Sequence, residues 1–176
     1  MTRKYWLAIA GIAAIGFVAL RGGSHSTAPL SLLTSAASQV VTGMSITVPS
    51  NWTVQSLGAQ DVLVSNVAQL SSMEAGATGE ASVRIRRLEM ANPQRLPLQQ
   101  WFDSYYRNGF DGPIESRVTT SVDGHPALVV DVQASGRYRL TYVSKDADVY
   151  LLSFSTLDQR FLVDYDVLLK SVRFPQ

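Results

Sequence analysis

The sequence predicts an α+β fold: an antiparallel β-sheet meander flanked by helices, preceded by one N-terminal transmembrane helix. Three observations carry this reading. The uncharged run Tyr5–Leu20 lies between Arg3 and Lys4 on one side and Arg21 on the other. Period-two apolar alternation recurs from Ser45 to Phe154, broken by short turn signals. Two segments, after Pro97 and after Thr156, place apolar residues at helical spacing.

The N-terminal run is sixteen residues long, about 24 Å as a helix. A bilayer core of about 30 Å is usually spanned by about 20 residues. The run is therefore short for a spanning helix and long for a signal-peptide core. Arg3, Lys4 and Arg21 can snorkel and lengthen the effective span, and Tyr5 and Trp6 suit the interface. The small-x-small triplets Ala14-Ile15-Gly16 and Ser24-His25-Ser26 are the candidate cleavage sites. The first falls inside the apolar core, and the second has Ala at neither position. Retention as an anchor is the expectation, and a cleaved signal the alternative. Arg3, Lys4 and the terminal amine against Arg21 alone put the N-terminus in the cytoplasm. The rest is then exported: a single-pass protein of the bacterial inner membrane with its domain facing the periplasm. The organisation read from this is an anchor over 1–21, a tether over 22–39 and an exported domain over 40–176.

There is no cysteine. That excludes disulfides, thiolate metal sites, Cys nucleophiles and lipoprotein acylation together. The net charge of +1 is unevenly spread, because all fourteen acids follow Arg21 and three of the fifteen bases do not. The exported part carries twelve bases against fourteen acids, net −2. Such a balance offers no electrostatic footprint for nucleic acid or an anionic membrane surface. The sequon Asn51-Trp52-Thr53 has meaning only in a glycosylating host and is read as chance.

From the tether onward each element has a local reason. Residues 21–39 are rich in Gly, Ser, Thr and Ala, as a flexible linker is. Leu33, Ala36, Ala37, Val40 and Val41 also follow helical spacing, so a short helix is the other reading there. Ile46 and Val48 alternate with Ser45 and Thr47 before Pro49, and Val62 and Val64 alternate with their neighbours. Val83, Ile85 and Leu88 flank Arg84, Arg86 and Arg87. Asp123-Gly124 is a turn dipeptide between strands Arg117–Val122 and Ala127–Val132. Ser135-Gly136 and Asp146-Ala147-Asp148 then separate Tyr138–Val143 and Val149–Phe154. Hops this short give an antiparallel meander. The first helix starts at Pro97, with the stripe Leu98, Trp101, Phe102, Tyr105 and Gly109 as its stop. The second starts with Thr156 as N-cap and Gln159 completing a capping box. Leu157, Phe161, Tyr165, Leu168 and Val172 line one face of it. The aromatics of both stripes are read as core.

A strand, a Pro-x-x-Trp corner, further strands, a helix, a four-strand meander and a closing helix follow in that order. The carrying residues are Ser45-Ile46-Thr47-Val48-Pro49-Ser50-Asn51-Trp52 at the start. At the end they are Tyr150-Leu151-Leu152-Ser153-Phe154-Ser155 and the helix through Leu169 to Ser171-Val172-Arg173-Phe174. Over residues 40 to 175 the chain resembles the PsbP-like fold family. The resemblance implies an α/β/α sandwich and a binding and scaffolding role without catalysis. The family includes the extrinsic subunit of photosystem II, exported bacterial proteins and a Ran-binding nuclear import factor. Many bacterial members are lipoproteins, and this chain, without cysteine, departs from them. No metal-binding residue of the photosynthetic members maps onto a position here. Pro49 and Trp52 read as a corner in which the indole covers the sheet edge.

Candidate chemistry is sparse. His125, the one histidine of the exported domain, sits in Asp123-Gly124-His125-Pro126 and reads as a solvated turn residue. Asp123 alone cannot complete the oxygen ligand set calcium needs. There is no Gly-x-Ser-x-Gly, no Walker A loop and no Gly-rich dinucleotide motif. No catalytic set, cofactor or metal is therefore expected. Arg84 and Arg86 share one strand face, with Ile85 on the other, and could meet a partner's carboxylate or phosphate. The plain alternative is a sheet edge guarded by charge. Asp164 and Asp166 are read as solubility. The loop Gln69–Gly79, with Met73 as its apolar contact, has the composition of a segment that orders on a partner. Trp101 and Phe161, with Pro49 and Trp52, are read as structural.

The function expected from all this is a membrane-tethered, non-enzymatic binding domain, an accessory or assembly subunit of a membrane protein complex. The alternatives are a photosynthetic accessory subunit, by the resemblance, and a periplasmic binder of lipid or small solute. A hydrolase would have to use His125.

Overall fold

The computed structural model describes residues 37–72, 77–105, 113–133 and 137–175. They belong to one compact unit, Leu32–Gln176. The expected N-terminal transmembrane helix lies outside the described residues. Among the described residues no helix is long and apolar enough to cross a membrane.

Nine strands and two helices follow one another among the described residues. They are β1 (Ala37–Val41), β2 (Met44–Val48), β3 (Thr53–Gly58), β4 (Asp61–Ser65), β5 (Ala81–Leu88), α1 (Leu98–Tyr105), β6 (Ile114–Val122), β7 (His125–Gln133), β8 (Arg137–Lys145), β9 (Asp148–Thr156) and α2 (Leu162–Ser171). A single 3-10 turn, Gln159–Phe161, leads into α2. β3 to β9 form one seven-stranded sheet in the order β3-β4-β5-β9-β8-β7-β6, and β1 pairs with β2 as a separate hairpin. Every pairing is antiparallel. The meander β6-β7-β8-β9 expected from the short hops is present, and β5 closes it by pairing along its whole length with β9.

The turns explain the hairpins. Asp123 and Gly124 both adopt positive φ, 50° and 77°, which matches the twist of the strands they join. Thr42 and Gly43, at 50° and 86°, do the same between β1 and β2. A Cβ at Gly43 would also stand 3.6 Å from the Tyr150 hydroxyl.

The sheet is covered on both faces, because successive side chains of a strand point opposite ways. On one face β1-β2 and α2 lie over Val64, Val83, Ile85, Leu152 and Phe154. On the other, α1 lies over Leu128, Val130, Leu140, Tyr142 and Leu151 through Leu98, Trp101 and Phe102. Those two coverings make the expected layers around the central sheet. α1 covers the β6-β7-β8-β9 half of its face, with Arg117 of β6 paired to Asp103 and standing over the Phe102 ring.

Four expectations need correcting. Residues 37–41 form strand β1, neither the end of a flexible tether nor the short helix that their spacing allowed; it pairs with β2, whose Met44, Ile46 and Val48 are buried in the core. β3 went unread because Thr53-Val54-Gln55-Ser56-Leu57-Gly58 is a mostly exposed edge with little alternation. The capping box does not form, because Thr156 is still the last residue of β9. Its hydroxyl donates to the Glu80 carbonyl at 2.9 Å and accepts from the Asp158 N–H, while the Asp158 carboxylate caps the 3-10 turn. Leu157 is correspondingly exposed, whereas Tyr165, Leu168 and Val172 are buried as expected. Finally, β5 is not an edge strand but lies between β4 and β9. Arg84 and Arg86 therefore stand on a sheet face rather than guarding an edge.

Tyr165 gives the core a pH signature. It stacks on Phe154 at 4.8 Å and shares a 2.6 Å hydrogen bond with the Thr141 hydroxyl. Burial pushes its phenol well above the usual value, against the smaller lowering effect of the Thr141 bond. A raised folded-state pKa contributes stability that is whole below the unfolded value of about 10 and is lost as pH rises past it. The urea midpoint is thus expected to fall above about pH 10. Tyr165→Phe should flatten that alkaline decline while costing about 1–3 kcal/mol at neutral pH, through the stranded Thr141 hydroxyl. Urea midpoints of both proteins from neutral to alkaline pH check this; parallel alkaline slopes would contradict it.

Candidate partner-binding face

Register determines which side chains meet on the half of the sheet that α1 leaves open. β4 pairs with β5 so that Leu63 faces Arg84 and Asp61 faces Arg86; β3 adds Gln55 beside Leu63. Arg84, Arg86, Leu63, Asp61 and Gln55 therefore share one face, opposite the buried Val62, Val64, Val83 and Ile85. Sequence reasoning placed the two arginines together correctly, but they are not equivalent. The Arg84 Nε donates to Asp61 at 2.9 Å, and its Nη2 donates to the same carboxylate. The Arg86 head group makes no such bond, and its Nε–H is closed off without an acceptor.

Arg87 points the other way. Its Nε donates to Asp148 at 2.8 Å, and Asp148 also accepts from the Met90 N–H. Burial opposes ionisation of Asp148, but these two donors outweigh it and hold the carboxyl below its usual value. That share of stability is present above the ordinary carboxylate range and is lost as pH falls through the depressed value.

The base of the Gln69–Gly79 loop is held. The Glu80 carboxylate accepts from Ser71 N–H at 3.0 Å, Ser71 hydroxyl at 2.7 Å and Ala77 N–H at 3.2 Å. Asn66 donates to the Gly79 carbonyl and accepts from the Ala81 N–H, both at 2.8 Å. Met73 lies outside the described residues.

Of the residues read as structural, Trp52 and Trp101 are buried in the core, while Phe161 packs half-buried against it and Pro49 is half-buried at the corner. The Trp52 backbone N–H closes a turn onto the Pro49 carbonyl at 3.0 Å, and the indole meets Phe161 edge to face at 6.3 Å. The Trp101 Nε1 donates to the Ala91 carbonyl at 2.7 Å, and its ring meets Tyr142 at 5.7 Å.

His125 is not the solvated turn residue its neighbours indicated. Its ring lies edge-on to Phe174 at 4.9 Å, beside Tyr150, and Lys145 stands over the same Phe174 ring. Asp123 accepts from the Phe174 N–H at 2.8 Å. The two residues thus fasten the C-terminal segment, which also pairs Arg173 with Ser45. Among the described residues no group of three or more His, Asp or Glu is arranged to hold a metal. His125→Ala is expected to cost about 0.5–1.5 kcal/mol, the worth of one ring contact, and to leave partner binding intact. Calorimetry with a binding assay checks both, and lost binding in a folded variant would make His125 functional.

No protein-family model matches the sequence. No curated protein matches it either. Among solved structures the chain is similar to a protein of unknown function from Pseudomonas aeruginosa, at a TM-score of 0.51 and 17% identity, over 80% of this chain and 96% of that one. A Bacteroides thetaiotaomicron protein gives 0.49 at 11% identity, over 76% of this chain and 46% of that one. The cyanobacterial PsbP of Synechocystis sp. PCC 6803 gives 0.48 at 12% identity, over 88% of this chain and 99% of that one. The likeness to the Pseudomonas aeruginosa structure is one of fold.

Proposed function

We propose that the chain is a membrane-tethered, exported binding domain that works without catalysis, as an accessory or assembly subunit of a complex in the bacterial inner membrane. The observation that carries this is the uncharged Tyr5–Leu20 run with its basic flanks, placed ahead of a folded domain. Tethering raises the effective concentration of a domain at a membrane target, so a weak protein-facing surface suffices. The open β3-β4-β5 face offers such a surface. Trp101, Phe102, Tyr142, Phe154 and Tyr165 fill the space between sheet and helices. That favours surface binding over the second reading, a carrier of lipid or small solute, which needs an enclosed apolar pocket. A photosynthetic complex as the partner rests on the resemblance alone.

Alkaline carbonate extraction of membranes, followed by N-terminal sequencing, tests the tether. The protein is expected in the membrane pellet with its original N-terminus. A carbonate-soluble protein beginning near Thr27 would overturn the anchor.

A further inference from the structure

Resting on that reading of the domain, we propose that Arg86 is the anchor for an acidic side chain of the protein partner on the open β3-β4-β5 face. Arg84, beside it, is a structural ion pair. Eight arginine side chains are described, and seven of them have a carboxylate within 4.0 Å. Arg86 is the exception. Its directly opposed residue on β4 is Asp61, which would be its natural partner. That carboxylate is taken instead by both the Nε and Nη2 of Arg84. The face therefore carries a neutralised pair and, next to it, one uncompensated positive charge.

The Arg86 Nε–H is also a donor closed to solvent without an acceptor. An unmet buried donor is costly, whereas a guanidinium that turns to take a carboxylate side-on gains two charge-assisted bonds. For Arg86 that turn breaks no existing hydrogen bond; for Arg84 it would break the Asp61 fork. On β9 the residue opposite Arg86 is the buried Leu151, and Leu63 lies on the same face. A carboxylate docked there meets a partly apolar surround, which strengthens the pairing relative to open solvent. Nucleic acid is a poorer match than an acidic peptide, because Asp61 lies in the same patch and the exported part is net negative. A single carboxylate from a protein surface suits one guanidinium.

The test follows the arginine Nε–Hε NMR signals of the full-length protein in detergent micelles. The probes are end-blocked hexaglutamate and, as the uncharged control, end-blocked hexaglutamine. The Arg86 signal is expected to shift saturably with hexaglutamate only, while that of Arg84 stays in place. Arg86→Gln should keep the circular dichroism of the parent and weaken hexaglutamate binding about tenfold or more, as for an arginine hot spot. An unmoved Arg86 signal, an equal response to hexaglutamine, or full affinity in folded Arg86→Gln would each overturn the assignment. Failure here with an intact membrane complex removes Arg86 and leaves the tethered-subunit reading standing. Hexaglutamate binding at Arg86 without any membrane complex does the reverse.

Discussion

Trp101→Ala is expected to destabilise the domain by about 3–5 kcal/mol, the range for truncating a buried tryptophan. α1 has only eight residues, too few to hold a helix alone in water. It stays helical because Leu98, Trp101 and Phe102 bury against β7, β8 and β9. Trp101 is 1% exposed, and its indole N–H ties α1 back to Ala91, at the start of the segment that leads into it. Removing the ring leaves a cavity beside Tyr142 and strands the Ala91 carbonyl. Chemical denaturation reads the loss directly. Amide exchange should show α1 opening before the sheet. A loss under about 1 kcal/mol would mean that α1 does not depend on this residue, contrary to the cost of a core cavity.

Trp52→Ala should cost a similar amount, about 3–5 kcal/mol, on the opposite face of the sheet. The indole is 2% exposed, packed between the Pro49 corner and Phe161 at the entry to α2. Its N–H is closed to solvent and finds no acceptor. Trp52→Phe keeps most of the apolar contact and deletes that stranded donor, so it should recover more than half of the stability lost in the alanine variant. Melting of the three proteins checks the order. An unchanged melting temperature in Trp52→Ala together with lost partner binding would make Trp52 a contact residue rather than a structural one.

Much of this architecture is written locally. The alternation in Ile46/Val48, Val62/Val64 and Val83/Ile85 gives each strand a buried face. The Asp123-Gly124 and Asp146-Ala147 turns join successive strands of the meander. The two helices came from apolar stripes whose buried members are Leu98, Trp101 and Phe102 in one and Tyr165 and Leu168 in the other. What could not be read is non-local. β5 pairs with β9 across more than sixty residues, and nothing within either strand names the other. β3 is an exposed edge, so no burial pattern marks it. In β1 the residues Val40 and Val41 fit either period, and the hairpin with β2 decides in favour of a strand.

The same holds at the candidate site. That Arg84 and Arg86 share a face follows from period two alone. That one is held by Asp61 and the other is not depends on the register of β4 against β5, across a loop whose length the sequence leaves unconstrained. His125 was misread for a similar reason. Its ring contact comes from Phe174, forty-nine positions away in the chain.

Co-purification tests the central claim most directly. An affinity-tagged full-length protein is solubilised from native membranes in mild detergent, alongside a tagged protein lacking residues 1–36. The full-length chain should bring down an integral membrane protein in near-stoichiometric amount, and the shortened one should recover far less of it. A full-length protein that elutes alone, from membranes in which its anchor is intact, would contradict the account.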